Sequence, residues 1–203
     1  NAMRKCSNLI IGRIHGNAVG GGVGIAAACD YCFSTEASDI KLSELSIGIG
    51  PFVIVPALER KMGIVALSEL SLDDKSWKIA YWAQKKGLFN TVYENKRDLD
   101  NGIDILTHQL SEYNPEALLN MTKIFWECTD HWDDLLTQRA EISGKLVLTD
   151  LTKNALSKLK ISNKLDACSL KYTQNLIRLL RLLADGMKLS KKSLSGKLPL
   201  LIS

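Results

Sequence analysis

A run of glycines that leads directly into a mostly small, apolar segment is the strongest constraint in this sequence. Gly20–Gly22 precedes Val23–Cys29, and Asp30 ends the segment. A helix with such small side chains can pack closely against backbone. Glycines at its start let the chain approach a ligand, and the N–H groups there point toward negative charge or a polarised oxygen. The sequence therefore predicts a tightly packed helix whose first turn faces a ligand.

The segments around this helix predict an α/β core followed by helices. Leu9–Ile14 has the pattern of a buried parallel strand, and Tyr31–Ser34 and Ile40–Leu42 indicate two short strands. Pro51 suits the first turn of a helix that Gly63 closes. We expect a core over 1–95, a helical region over 96–160 and a basic amphipathic tail over 161–203. Further elements are predicted as helices over 64–70, 96–111, 115–129, 132–160 and 170–183, as a helix that ends at Lys86 after a cap at Asp74 or Ser76, and as a strand over 88–93.

Two ligands fit the glycine turn on these residues alone. Gly22–Ala27 matches G-x-G-x-x-A, and Glu44 follows about 20 residues later, as in a dinucleotide-binding unit. In that unit, however, the strand feeds the turn directly, whereas here the loop His15–Val19 intervenes. The other candidate is a thioester carbonyl, whose oxygen the same N–H groups could polarise.

Two blocks of sequence resemble the crotonase, or enoyl-CoA hydratase/isomerase, family. His15–Asp30 resembles the signature in which a strand and N-G-x-A-x-G-G-G lead into a small-residue helix that ends in C-D. Ile40–Gly48 resembles the F-x-x-P-E-x-x-x-G block, and Pro51-Phe52 follows where that block enters a helix. The segment 126–160 is similar to the C-terminal helices of the family. The resemblance spans about residues 4–160 and is specific over 10–63.

The resemblance implies a fold, a substrate class and a site. The fold would be a partial crotonase ββα spiral with a C-terminal helical region, and the substrate an acyl-CoA thioester. The N–H of Gly21 would be one of two oxyanion-hole donors, and Glu44 would be the acid/base. No cofactor is implied beyond the coenzyme A of the substrate, and the family suggests a homotrimer or hexamer. The substrate-binding set would be Ala18, Gly20, Gly21, Gly22, Gly24, Pro51 and Phe52.

The sequence departs from the family pattern in two places. Hydratases carry a second glutamate at the position of Gly24, so isomerisation by a single acid and hydration both stay open. The N-terminal half of the domain, which supplies the other oxyanion donor and much of the CoA surface, is expected to be absent. The first strand would then have an empty neighbour position, and the chain would be a fragment or pair with a separate piece. A non-catalytic oligomerising module and a tail with no selected role are the alternatives.

Charge and cysteine usage limit the partners. The net charge is +4, and residues 161–203 hold eight Lys or Arg against two Asp, which we interpret as a solvated surface and not a nucleic-acid or membrane site. No apolar run of about 18 residues is present. The scattered, odd set of cysteines predicts free thiols, including the Cys29-x-x-Cys32 pair, and a cytoplasmic location. The histidines have no metal-ligand spacing, so no metal is expected.

Overall fold

A computed structural model describes residues 1–163 and 200–202. The predicted tail helix over 170–183 lies outside the described residues. The strands are β1 (Ile10–Ile14), β2 (Ala18–Val19), β3 (Tyr31–Thr35), β4 (Ile40–Lys41), β5 (Thr91–Tyr93) and β6 (Leu200–Ile202). The helices are α1 (Gly21–Ala28), α2 (Val55–Leu72), α3 (Ala80–Lys85), α4 (Lys96–Ser111), α5 (Pro115–Phe125), α6 (Trp132–Val147) and α7 (Asp150–Asn163), and a 3₁₀ turn spans Leu45–Ile47.

The main sheet is parallel and has the strand order β5-β3-β1-β6, while β2 and β4 form a separate short pair. Alternate side chains of β1 enter cores on opposite faces, as strand geometry requires. Ile10 belongs to the cluster that includes α1 and α2, whereas Ile11 packs with Phe33, Leu99 and Ile103 against α4. The sheet is therefore covered by helices on both faces, as is usual for a parallel sheet.

The predicted empty position beside β1 is filled by β6, so that prediction was wrong. Ile10 pairs with Leu200 and Gly12 with Ile202, in parallel register. No strand was predicted at residues 200–202, where the sequence analysis placed part of the basic tail. The physical reason is that the edge of β1 offers unpaired N–H and C=O groups, and main-chain pairing satisfies them with few demands on side-chain type.

Helix α1 lies close to β1 because Gly12 has no side chain. A Cβ added to Gly12 would lie 2.8 Å from Cys32 Sγ and 3.0 Å from Cys29 Sγ. The thiol of Cys29 donates to the carbonyl oxygen of Ile25 at 3.4 Å, and that of Cys32 to the carbonyl of Ala26 at 3.0 Å. Both cysteines are buried and free, as predicted. They therefore act as small packing groups between helix and sheet.

Several helix boundaries follow the local signals in the sequence. Gly63 interrupts α2 with φ 74° and ψ 164°, which confirms the predicted break there. Asn95 caps α4 through the N–H of Asp98, and Asn114 caps α5 just before Pro115. Side-chain oxygens at these positions satisfy N–H groups that the helix leaves unpaired.

Other predicted boundaries were wrong because long-range or local hydrogen bonds override periodicity. The helix expected from residue 76 starts at Ala80, since Lys78 exchanges both main-chain hydrogen bonds with Ile40 and is held extended. The single helix expected over 132–160 is divided into α6 and α7. The hydroxyl oxygen of Thr149 accepts the N–H of Thr152 at 3.4 Å and so starts the second helix.

The carboxylate of Asp30 connects the helical region to the core. Its Oδ2 accepts the N–H of Ile10 at 2.8 Å, and its Oδ1 accepts the indole N–H of Trp126 at 3.0 Å. The guanidinium of Arg60 stacks on the Trp126 ring, 3.9 Å from the centroid. The segment between α5 and α6 is thus anchored beside the end of α1. No helix within the described residues is long and apolar enough to cross a membrane.

The contact at Gly12 predicts a stability effect. Replacing Gly12 with Ala should lower the free energy of unfolding by about 1–3 kcal/mol, because the new methyl group overlaps two buried sulfur atoms. Urea denaturation measures the loss. Gly16→Ala is the control, since nothing lies within 4 Å of the added Cβ there. Equal midpoints for the two variants would contradict the proposed packing.

Candidate active site

No side chain caps the first turn of α1 at Gly20, and a main-chain hydrogen bond joins this turn to β4. Gly20, the N-cap residue, has φ 55° and ψ −117°, a region that favours glycine. Its N–H donates to the carbonyl of Lys41 at 2.9 Å. No side chain caps the helix, and Gly21 and Gly22 are only partly covered. The first N–H groups of a helix have no partner within it, so those of Gly21 and Gly22 are available as donors.

The carboxyl group of Glu44 rests against this turn. A Cβ added to Gly20 would lie 2.7 Å from Glu44 Oε1, so only glycine leaves room for the acid. Glu44 is 7% exposed, and its Oε2 has no hydrogen-bond partner among the described residues. Burial raises the pKa of Glu44. Hydrogen bonds from the backbone N–H groups of Glu44 and Ser43 lower this pKa by a smaller amount. A buried carboxyl without a full set of partners is rare in a purely structural role.

The loop that carries Glu44 is fixed by its own turn and by α7. The backbone carbonyl of Glu44 accepts the N–H groups of Ile47 at 3.3 Å and Ile49 at 3.1 Å. The hydroxyl of Thr152 donates to the carbonyl of Gly48 at 3.1 Å. Thr152, in α7, therefore holds the loop that carries Glu44, although it is 104 positions from Gly48 in the sequence. Sequence analysis missed Thr152, and no local motif marks it.

The other end of this loop contacts α1 one helical turn further along. A Cβ added to Gly24 would lie 2.7 Å from Ile54 Cβ, and closer still to its Cγ2. The carbonyl of Pro51 accepts the N–H of Ile54 at 3.0 Å, which begins the turn into α2. Sequence analysis missed Ile54 as well. The only signal was Gly24 itself, whose lack of a side chain allows a close contact.

The structure brings most of the predicted residues to one place. Ala18 lies in β2, beside the start of α1, where a Cβ added to Gly22 would lie 3.7 Å from the Ala18 Cβ. Phe52 lies over Gly50, and its carbonyl accepts a hydrogen bond from Arg139 at 3.5 Å. Gly20 and Gly24 lie one helical turn apart at the start of α1, and Glu44 contacts this turn at Gly20. The roles assigned to Gly21 and to the substrate-binding set stay predictions.

The glycine turn does not have the structural context of a dinucleotide-binding unit. β2 stands between β1 and α1, so the strand does not feed the glycine turn directly as it does in a Rossmann unit. Within the described part of the chain, no group of three or more His, Cys, Asp or Glu is placed to hold a metal ion.

Curated relatives of this chain act on CoA thioesters in three different ways, by their names. The peroxisomal Delta(3,5)-Delta(2,4)-dienoyl-CoA isomerase of Arabidopsis thaliana is 27% identical over 121 residues, 58% of this chain and 42% of the relative. Mevalonyl-coenzyme A hydratase of Aspergillus fumigatus is 29% identical over 57% of this chain and 42% of its own length. The mitochondrial 3-hydroxyisobutyryl-CoA hydrolase of Bos taurus is 27% identical over 85% of this chain and 48% of its own length. The chain thus spans less than half the length of these relatives.

Solved structures share the fold. The enoyl-CoA hydratase of Bacillus halodurans aligns with a TM-score of 0.72 at 22% identity, over 77% of this chain and 63% of that one. An enoyl-CoA hydratase/isomerase of Pseudoalteromonas atlantica aligns with a TM-score of 0.71 at 16% identity, over 77% of this chain and 63% of that one. These similarities confirm the crotonase-type α/β fold with a helical C-terminal region. The Enoyl-CoA hydratase/isomerase family model matches residues 1–159. The chain therefore belongs to the enoyl-CoA hydratase/isomerase family.

Proposed function

We propose that this chain processes an acyl-CoA thioester by stabilising its enolate, with Glu44 as the single acid/base. The observation that carries the proposal is the buried carboxyl of Glu44, incompletely hydrogen-bonded and pressed against the glycine turn. Either hydration or double-bond isomerisation of an enoyl-CoA would use this arrangement. Coenzyme A enters as part of the substrate, and no other cofactor is proposed.

The open first turn of α1 supports a role in charge stabilisation. In the proposed complex the Gly21 N–H donates to the thioester oxygen, which becomes negative as the enolate forms. A backbone donor that is already oriented needs no reorganisation during the reaction, and one such donor is typically worth about 3 kcal/mol. The absence of a capping side chain at Gly20 leaves this donor available.

The environment of Glu44 supports its role in proton transfer. Burial raises the pKa of Glu44, so its carboxyl holds a proton more strongly than an exposed one and is a better base once ionised. The relatives are an isomerase, a hydratase and a hydrolase of CoA thioesters by name, which supports the substrate class and leaves the reaction type open.

Exposed apolar side chains support a homo-oligomer, which we propose is a trimer or hexamer. Ile64 is 61% exposed, Val65 73% and Leu72 75%, all on α2. Side chains of this kind are covered in many assemblies.

The same surface favours a second candidate function, a non-catalytic oligomerising module. Light scattering measures the oligomeric state, and calorimetric titration measures acyl-CoA binding. The second candidate forms oligomers but does not bind acyl-CoA, so the two measurements together separate the candidates.

Replacement of Glu44 with Gln should abolish turnover and spare binding. Gln keeps the shape of the side chain but cannot accept the proton, so turnover should fall by about 10²–10⁴-fold. Calorimetric titration with acetoacetyl-CoA, an enolate-like thioester, measures binding, and an enoyl-CoA assay measures turnover. Glu59→Gln, at an exposed position on α2, is the matched control. Retained turnover in Glu44→Gln would remove Glu44 from the mechanism, and no saturable binding by the unchanged chain would contradict the proposed function.

The raised pKa of Glu44 predicts two pH dependences. A rate that needs the carboxylate should rise with pH through the raised pKa, above the ordinary value of 4.5. The folded state favours the protonated form, so the stability that Glu44 contributes is complete below 4.5 and is lost as pH rises through the raised pKa. Glu44→Gln should therefore unfold at higher urea than the unchanged chain at pH 8, and this difference should vanish below the ordinary pKa. A stability difference between Glu44→Gln and the unchanged chain that does not vary with pH would contradict the burial argument.

A further inference from the structure

We propose that Thr152 is a positioning residue for Glu44, which it reaches through the single peptide group that joins Gly48 to Ile49. This role rests on the proposed function and adds a requirement to it. Helix α7 sets the rate of the reaction through Thr152, although it contacts none of the reacting atoms.

One peptide group connects the two residues. Its carbonyl, that of Gly48, accepts the hydroxyl of Thr152 at 3.1 Å. Its N–H belongs to Ile49 and donates to the backbone carbonyl of Glu44 at 3.1 Å. A peptide group is planar and resists rotation about its C–N bond, so a bond that fixes its carbonyl also fixes its N–H. The hydroxyl of Thr152 therefore controls where the main chain of Glu44 is held.

Gly48 has the conformation and the size that this contact needs. Its φ is 80°, in the left-handed region that favours glycine. A Cβ added to Gly48 would lie 2.7 Å from Thr152 Oγ1 and 2.5 Å from Leu151 Cδ2. A side chain at this position would push α7 away from the turn. The close approach of α7 is therefore built into the loop that carries Glu44.

The hydroxyl of Thr152 bonds outside its own helix. Serine and threonine hydroxyls within a helix often donate to the carbonyl four residues earlier. Bonds of that kind are made by Thr107, Thr122, Thr137, Ser143 and Ser157. Thr152 donates instead to a carbonyl of the Glu44 loop. Its hydroxyl thus joins two segments, whereas the others stay within one helix.

Burial makes this hydroxyl difficult to replace. Thr152 is completely buried, so its loss would leave the Gly48 carbonyl without this donor in a place that water does not reach. The carboxyl of Glu44 rests against Gly20, and a shift of the loop would move it relative to the substrate. A displacement of about 1 Å can slow a reaction about 100-fold. The first turn of α1 is held separately, by the bond from Gly20 to Lys41, so thioester binding should not depend on Thr152.

The test compares turnover and binding in variants that differ by one hydroxyl. Thr152→Val should lower kcat for an enoyl-CoA about 10- to 100-fold and leave KM and the Kd for acetoacetyl-CoA unchanged. Thr152→Ser keeps the hydroxyl and should restore most of kcat. Thr122→Val is the matched control, because Thr122 is also buried, at 4% exposure, and its hydroxyl bonds within α5. It should leave kcat unchanged.

Amide hydrogen exchange measures the contact independently of turnover. The N–H groups of Ile47 and Ile49 donate to the Glu44 carbonyl, so they report how firmly the loop is held. Mass spectrometry of peptides from this segment should show exchange about 10-fold faster in Thr152→Val than in the unchanged chain. Exchange in Thr152→Ser and Thr122→Val should match the unchanged chain.

The outcomes separate this role from the proposed function. Equal loss of kcat in Thr152→Val and Thr122→Val, no recovery in Thr152→Ser, or a parallel loss of acetoacetyl-CoA affinity would overturn the positioning role and leave the proposed function intact. An unchanged chain that neither binds acetoacetyl-CoA nor converts an enoyl-CoA would refute the proposed function and the catalytic part of this role. Exchange rates that do not differ would refute the contact itself. Should Thr152→Val not fold, Thr152→Ala takes its place, because it differs from Thr152→Ser by a single oxygen.

Discussion

The close approach of α1 to β1 is the contact on which the other features of the site depend. Gly12 leaves room for two buried thiols, Cys29 and Cys32, between the end of the helix and the sheet. Val23, Ala26 and Ala27 are completely buried in the same layer. With side chains this small, the helix axis has little freedom to shift without opening a cavity or creating an overlap. The first turn of α1 is therefore a rigid platform, and the main-chain bond from Gly20 to Lys41 fastens its other end to β4.

One loop uses this platform twice. Glu44 rests on Gly20, and Ile54 rests on Gly24, so the start of α1 positions both side chains. The loop is also held from outside, because Thr152 of α7 donates to the carbonyl of Gly48. The C-terminal helices thus contribute to the site by fixing the loop, although none of their side chains is proposed to touch the reacting atoms. A rigid support of this kind is what precise placement of an acid/base requires.

Two carboxyl groups of the chain differ in how completely they are hydrogen-bonded. Both oxygens of Asp30 have partners, Ile10 N–H and the Trp126 indole, and the group connects the sheet to the helical region. Glu44 is more deeply buried, and one of its oxygens has no partner in the part of the chain that the structure describes. Burial without full hydrogen bonding lowers stability, and such a cost is common where a group must remain free to exchange a proton. The pKa direction of Glu44 follows from this environment.

Sequence alone determined the features that depend on neighbouring residues. The glycine turn, the small-residue helix, the spacing to Glu44 and the break at Gly63 are local, and the structure has each of them. These local motifs also sufficed to identify the family, because its signature is a short contiguous pattern.

Only the tertiary structure decided the contacts between distant segments. The pairing of β6 with β1, the contact of Ile54 with Gly24 and the bond from Thr152 to Gly48 join residues up to about 190 positions apart. Main-chain pairing and apolar contact place few demands on residue type, so they leave no periodic or motif signal in the chain. The presence of a glycine at position 24 was readable in the sequence. What fills the space beside it was settled by the packing of the folded chain.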